Sequence, residues 1–141
     1  MSQRKIFLDT NIVLDYVLAR KDFVEPAQKI FLLHELEEIE IFVSALTLAN
    51  VAYVVEKNGR DPFQVIRNLI KWVKIIPLQN FHFQKVLSSS FKDFEDGLQN
   101  FSAEDIPGIE AIITRDLKGF KPSTIPVFSS NDFVKLFSKI Q

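Results

Sequence analysis

Ile6-Phe7-Leu8-Asp9-Thr10-Asn11-Ile12-Val13-Leu14-Asp15-Tyr16-Val17-Leu18 joins two patterns back to back. Ile6-Phe7-Leu8 is a short unbroken apolar run, the mark of a strand covered on both faces. From Asn11 the spacing turns helical, with Ile12, Tyr16 and Ala19 on one side and Val13 and Val17 beside them. Thr10 or Asn11 is expected to cap that helix. The same alternation recurs down the chain. Ile41-Phe42-Val43, Val73 to Ile76, Ala111-Ile112-Ile113-Thr114 and Ile125-Pro126-Val127-Phe128 read as four further strands. Pro126 puts the last of them at a sheet edge.

Between the strands the helical stretches are equally legible. Pro26 suits a first turn, and its helix continues through Ile30, Leu33 and Leu36. Ala45 to Lys57 is apolar nearly all round, predicting a buried helix that ends at Asn58-Gly59. Asp61-Pro62 opens a helix through Trp72, and Phe81 to Ser88 reads as another. Asp93-Phe94-Glu95-Asp96 opens one reaching about Phe101, and Asn131 caps a last one through Ile140. Strands alternating with helices predict an α/β fold with a mostly parallel sheet of about four to five strands. With 141 residues and no linker or repeat, residues 1–141 are expected to form one domain.

Composition narrows the chemistry. Seventeen Lys and Arg against eighteen Asp and Glu leave a net charge of −1, which excludes a protein that coats duplex DNA by bulk charge. The absence of Cys removes disulfides, iron–sulfur clusters, thiol nucleophiles and Cys-based zinc. His34 and His82 lie in unrelated helices and read as structural. Met1 to Lys5 lacks the pattern of a signal peptide. The longest apolar stretch, Ile41 to Val55, falls short of the roughly 20 residues that span a bilayer. The expectation is a soluble cytoplasmic protein with no membrane partner.

Open parallel sheets bind ligands outside the carboxyl ends of their strands. Two strands end there in an acid, Leu8-Asp9 and Ile113-Thr114-Arg115-Asp116. Asp93 and Asp96, three apart, share one face of a helix start, with Glu95 between them. If these pieces meet, their carboxylates call for a hard cation with oxygen ligands, Mg²⁺ or Mn²⁺, and hence for phosphodiester hydrolysis. Each acid also has a structural reading. Asp9 and Asp116 suit turns or caps, the acids around Asp93 suit a helix N-terminus, and Asp15 is expected to be a solvated surface acid. Arg115, Lys118 and Lys121 read as exposed loop charges with a possible phosphate-holding role, and Phe120 as packed under its loop.

Four blocks in order resemble the PIN-domain family. They are Leu8 to Asp15, Ser44-Ala45-Leu46-Thr47-Leu48-Ala49-Asn50, Lys92 to Gln99, and Ile112 to Phe120 followed by Ile125-Pro126-Val127. The resemblance covers nearly the whole chain. It implies a three-layer α/β/α sandwich and a Mg²⁺- or Mn²⁺-dependent endoribonuclease. The small single-domain members it is similar to are the toxin ribonucleases (VapC-like) of bacterial toxin–antitoxin pairs. RNA, single-stranded or structured, is the implied substrate and an antitoxin protein the implied partner. Apolar faces on the early helices are expected to serve a homodimer or that antitoxin.

Carried over position by position, Asp9, Asp96 and Asp116 are the implied catalytic and metal-holding acids. Thr10, Asn11 and Thr114 fall where the family orients the first acid or a water, and Asp93 and Glu95 flank the site. One departure stands out, since the second block ends in Asn50 where active members carry a glutamate. An amide accepts a hydrogen bond but supplies no charge. A PIN-like nucleic-acid-binding or protein-interaction module with weakened turnover is therefore the alternative. A phospho-accepting receiver domain fits less well, because Thr10-Asn11 and Ser129 stand where it would need acids and a lysine.

Overall fold

A computed structural model describes residues 3–140, with side chains described through Phe137. Met1, Ser2 and Gln141, the ends of the expected domain, lie outside the described residues. The chain runs β1 (Arg4–Leu8), α1 (Thr10–Val17), α2 (Val24–Glu35), β2 (Ile39–Ser44), α3 (Ala45–Lys57) and α4 (Pro62–Trp72). It continues through β3 (Lys74–Ile76), α5 (Asn80–Leu87), α6 (Phe94–Glu104), β4 (Ile109–Ile113), β5 (Val127–Phe128) and α7 (Ser130–Ile140). The described strands form one parallel sheet in the order β3-β2-β1-β4-β5.

Pleating sorts the side chains into two cores. Ile6, Leu8, Ile41, Val43, Ala111 and Ile113 face one side, where α1, α2, α3, α4 and α7 add Ile12, Phe31, Val51, Leu69 and Phe133. Phe7, Phe42 and Ile112 face the other, packed with Ala103 of α6 and with Ile106, Phe120 and Ile125. Helices thus cover both faces, giving the three-layer α/β/α sandwich. Phe120 is buried beneath its loop, as its sequence position suggests. Pro126 lies beside edge strand β5, where its carbonyl still accepts from the Ile112 N–H.

Local chemistry shifts several expected boundaries. Asp9 itself caps α1, its side chain accepting from the Thr10 N–H, so neither Thr10 nor Asn11 is the cap. Helix α2 begins at Val24, two residues before Pro26, because the ring is tolerated anywhere in a first turn. Helix α6 runs on to Glu104, and α7 starts after Ser129, whose Oγ accepts from the Asp132 N–H where Asn131 was expected to cap. Helix α3 is not buried all round. Tyr53 is 61 % exposed, and only Thr47, Val51 and Val55 are buried. Its end is as predicted: Gly59 turns left-handed at φ 78°, and the Arg60 N–H returns to the Val55 carbonyl.

Both histidines tie elements together. The His34 imidazole bridges the Trp72 carbonyl and the Ile41 N–H, joining α2 to the end of α4 and to β2. His82, fully buried, accepts from the Gln79 N–H and meets Asp105 at 2.6 Å, locking α5 to the end of α6. Among the described residues, no helix is long and apolar enough to cross a membrane.

Candidate active site

The strand order reverses between β1 and β4, so the chains leaving those two strands part company at their carboxyl ends. Register pairs Leu8 with Ile113, which sets Asp9 beside Thr114. The Asp9 N–H donates to the Ile113 carbonyl at 3.0 Å, extending the ladder by one residue into the crevice. Here lies a cleft of about 390 Å³, lined by Asp9, Thr10, Asn11, Asn50, Asp93, Glu95, Asp96, Gln99 and Asp116, with Arg20 on its wall.

Asp9 is held from three sides. Its Oδ1 accepts from the Thr10 N–H at 2.9 Å and from Gln99 Nε2 at 3.1 Å, and its Oδ2 accepts from Thr114 Oγ1 at 2.8 Å. Burial pushes its pKa up, against those donors, which favour the carboxylate. Gln99 is the hub of this network. Its Nε2 also reaches Thr10 Oγ1 at 3.1 Å and Thr47 Oγ1 at 2.8 Å, while Ser44 Oγ donates to its Oε1. Ser44 in turn caps α3 through the Thr47 N–H. Gln99 and Thr47, unassigned from sequence, thus position the first acid. Their signal was present: Gln99 is three residues after Asp96 on α6, and Ser44 ends a strand.

Asp116 comes from the loop after β4. Its N–H donates to Thr114 Oγ1 at 3.0 Å, and its Oδ1 accepts from the Gly119 N–H at 3.0 Å. Asp96, in the first turn of α6, receives its position from Asp93, whose Oδ1 accepts the Asp96 N–H at 3.0 Å. A Cβ on Gly119 would lie 2.2 Å from Asp96 Oδ2 and 2.3 Å from Asp116 Oδ2, so both oxygens crowd the same point. Asp96 Oδ2 is buried with no hydrogen-bond donor. Burial, the Asp116 carboxyl beside it and the charges of Asp9 and Asp93 push the Asp96 pKa up to about 8.

Such a pair suits a hard cation. Mg²⁺ is commonly held by one or two carboxylates and keeps several waters. Asp96 and Asp116 supply that pair, and Asp9 lies in the same cleft. Among the described residues, no group of three or more acidic or histidine side chains is placed to hold a metal ion by itself. A cation bound here would rest on the Asp96–Asp116 pair and on water.

The remaining expected residues divide. Asn11 lines the cleft and its Oδ1 accepts from Arg20 Nη1 at 3.0 Å. Asn50 does not face the cleft as a bare amide: its Nδ2 donates to Glu95 Oε1 at 2.9 Å. Asp15 is not a surface acid. It is 1 % exposed, forked by Arg115 at 2.6 and 3.2 Å and approached by Arg20 at 3.6 Å. Arg115 is consequently no loose loop charge, and its guanidinium also lies 3.9 Å from the Phe23 ring centroid. Periodicity missed this because the partner of Asp15 is 100 residues away.

Fold and site together define a parallel α/β sandwich with an acidic cleft at its switch point. The chain belongs to the PIN-domain family, whose model matches residues 5–118. Among solved structures it is similar to a chain of a toxin–antitoxin complex from Klebsiella pneumoniae, 22 % identical with a TM-score of 0.61. A chain of VapBC2 from Rickettsia felis, bound to a DNA fragment from the promoter, is 18 % identical with a TM-score of 0.62. Both matches cover 89 % of this chain and 97 % of the other. A protein from Pyrobaculum aerophilum is 15 % identical with a TM-score of 0.60, over 98 % of each chain. No curated protein sequence matches significantly.

Proposed function

We propose that this chain is a Mg²⁺- or Mn²⁺-dependent endoribonuclease and the toxin of a toxin–antitoxin pair. The observation that carries the reading is the Asp96–Asp116 pair, two carboxylates turned to one point with a buried oxygen left unpartnered. Like charges so placed are costly unless a proton or cation lies between them. When bound, a divalent cation there supplies positive charge to phosphate oxygens and acidifies water.

The chain's own residues do the rest. Thr114, Gln99 and the Thr10 N–H fix the Asp9 carboxylate in one orientation, so no reorganisation is needed during reaction. Gly119 keeps the space before Asp96 and Asp116 open. Arg20, held by Asn11 and Asp15, offers a guanidinium to a phosphate oxygen at the cleft wall. In hydrolysis a water oxygen bonds to phosphorus as a phosphorus–oxygen ester bond breaks, leaving one RNA fragment with a phosphate and the other with a hydroxyl.

Asn50 favours the second reading, a binding module without turnover. Its amide, however, holds Glu95 at the same cleft, and Glu95 brings the negative charge that Asn50 lacks. The toxin reading draws further support from the fold shared with chains solved in toxin–antitoxin complexes. Purified protein incubated with a panel of fluorescent RNAs in Mn²⁺, Mg²⁺ or chelator tests the reading. Cleavage that needs the cation and disappears in Asp116→Asn is expected. Folded protein that cleaves nothing with either cation points to the binding module.

A further inference from the structure

Beside the acidic cleft is a second of about 630 Å³, between the start of α6 and the loop after β4. Lys92, Lys118 and Lys121 line it, and Asp93 belongs to both clefts. Gly119, whose N–H binds Asp116, forms part of its wall. The two clefts therefore adjoin at Asp93, and the sign of the lining charge reverses from one to the next. All three lysines are exposed, and among the described residues none is paired with a carboxylate, unlike Lys29, Lys74 and Lys85. In a chain of net charge −1, three free cations on one cleft form a local attraction for a polyanion.

An aromatic surface accompanies them. Phe94, next to Asp93, is 44 % exposed, and its ring lies 6.0 Å from that of Phe83, itself 41 % exposed. Cationic side chains along the cleft and an open aromatic face that follows Asp93 in the chain suit a nucleic acid whose bases are free to stack, which a duplex does not provide. We propose that single-stranded RNA leaves the acidic site along this lysine cleft, with its phosphates on Lys92, Lys118 and Lys121 and a base on Phe94. The proposal rests on the ribonuclease reading for what happens at the acidic end. The lysines themselves bind and orient the strand and are not catalytic residues.

The test measures binding apart from cleavage. Fluorescence anisotropy of a labelled single-stranded RNA of about 12 nucleotides is followed in Mg²⁺. Asp116→Asn protein is compared with the same protein carrying Lys92→Gln, Lys118→Gln and Lys121→Gln. Each phosphate contact to a single strand contributes about 0.7 to the slope of log affinity against log salt, so the triple substitution lowers that slope by about 2. Phe94→Ala weakens binding and leaves the slope unchanged. An unchanged slope in the triple variant, with its circular dichroism spectrum intact, overturns the proposal. A duplex of the same length bound as tightly as the single strand overturns it too. If the slope falls as expected while the natural protein cleaves no RNA, the strand path stands and the ribonuclease reading fails. If the natural protein cleaves and the slope does not move, the nuclease stands and this path fails.

Discussion

At the scale of single residues, the unusual pairing of Asn50 with Glu95 carries a measurable consequence. The amide donates to Glu95 Oε1 at 2.9 Å and so holds a carboxylate at the cleft. A full charge a few ångströms from a partly exposed cation contributes about 1–2 kcal/mol, so Glu95→Gln is expected to weaken Mn²⁺ binding about tenfold by calorimetry. An unchanged affinity would remove Glu95 from the site. Asp96 gives a second prediction through its raised pKa of about 8. The folded state holds this proton more tightly than the unfolded chain. The resulting stability is complete below the ordinary value of 3.8 and is lost as pH rises through about 8. Burial moves Asp9 in the same direction. In chelator the melting temperature therefore falls between those pH values, and Asp96→Asn melts above the natural protein at pH 8. Equal melting of the two at that pH would show that Asp96 carries no such burden. Sequence spacing flagged Asp9 and Asp116 after strand ends and Asp93, Glu95 and Asp96 at a helix start. The family resemblance singled out Asp9, Asp96 and Asp116, which the fold brings to one cleft. The bonds of Asn50 to Glu95 and of Asp15 to Arg115 were illegible, since each joins side chains brought together only by the folded sheet.

At the scale of elements, the apolar runs marked the central strands β1, β2 and β4, because a parallel strand covered on both faces leaves no polar alternation to obscure it. Short apolar runs marked the partly exposed edge strands β3 and β5 as well. Helix ends were less legible. Ser129 displaced Asn131 as a cap, and α6 extended past Phe101 because Ala103, beyond that point, still packs beneath the sheet. The exposure of α3 was also hidden, since an apolar helix reads alike whether its outer face meets protein or water. Helix α6, which carries Asp96, depends on a close approach. A Cβ on Gly97 would lie 2.8 and 3.0 Å from the two γ-methyls of Val86 on α5. Val86 is β-branched and stiff in its helix. Overpacking of this kind costs about 1–3 kcal/mol against about 1 kcal/mol gained from replacing glycine in a helix. Gly97→Ala should thus lower the urea midpoint without changing the slope of the transition. A raised midpoint would mean that α5 yields freely.

At the scale of the molecule, the sandwich leaves an apolar face of α3 and α4 uncovered. Tyr53, Phe63 and Ile70 on α3 and α4 are 61, 76 and 54 % exposed and surround a cleft of about 670 Å³. Large apolar side chains gathered at the surface are costly to leave in water. A homodimer is the expected state of the isolated chain, so light scattering should return twice its 16.3 kDa. A monomer at every concentration would leave this face to another protein.

The proposed cleavage depends on the space in front of Asp96 and Asp116, and Gly119→Ala fills that space while leaving every carboxylate in the chain. Cleavage of single-stranded RNA in Mn²⁺ by the natural protein and by this variant, matched for fold by circular dichroism, is the most direct test. The natural protein should cleave and Gly119→Ala should not, because its methyl would stand 2.2 and 2.3 Å from the two oxygens. Equal cleavage by both proteins, or cleavage that persists in chelator, would contradict the account.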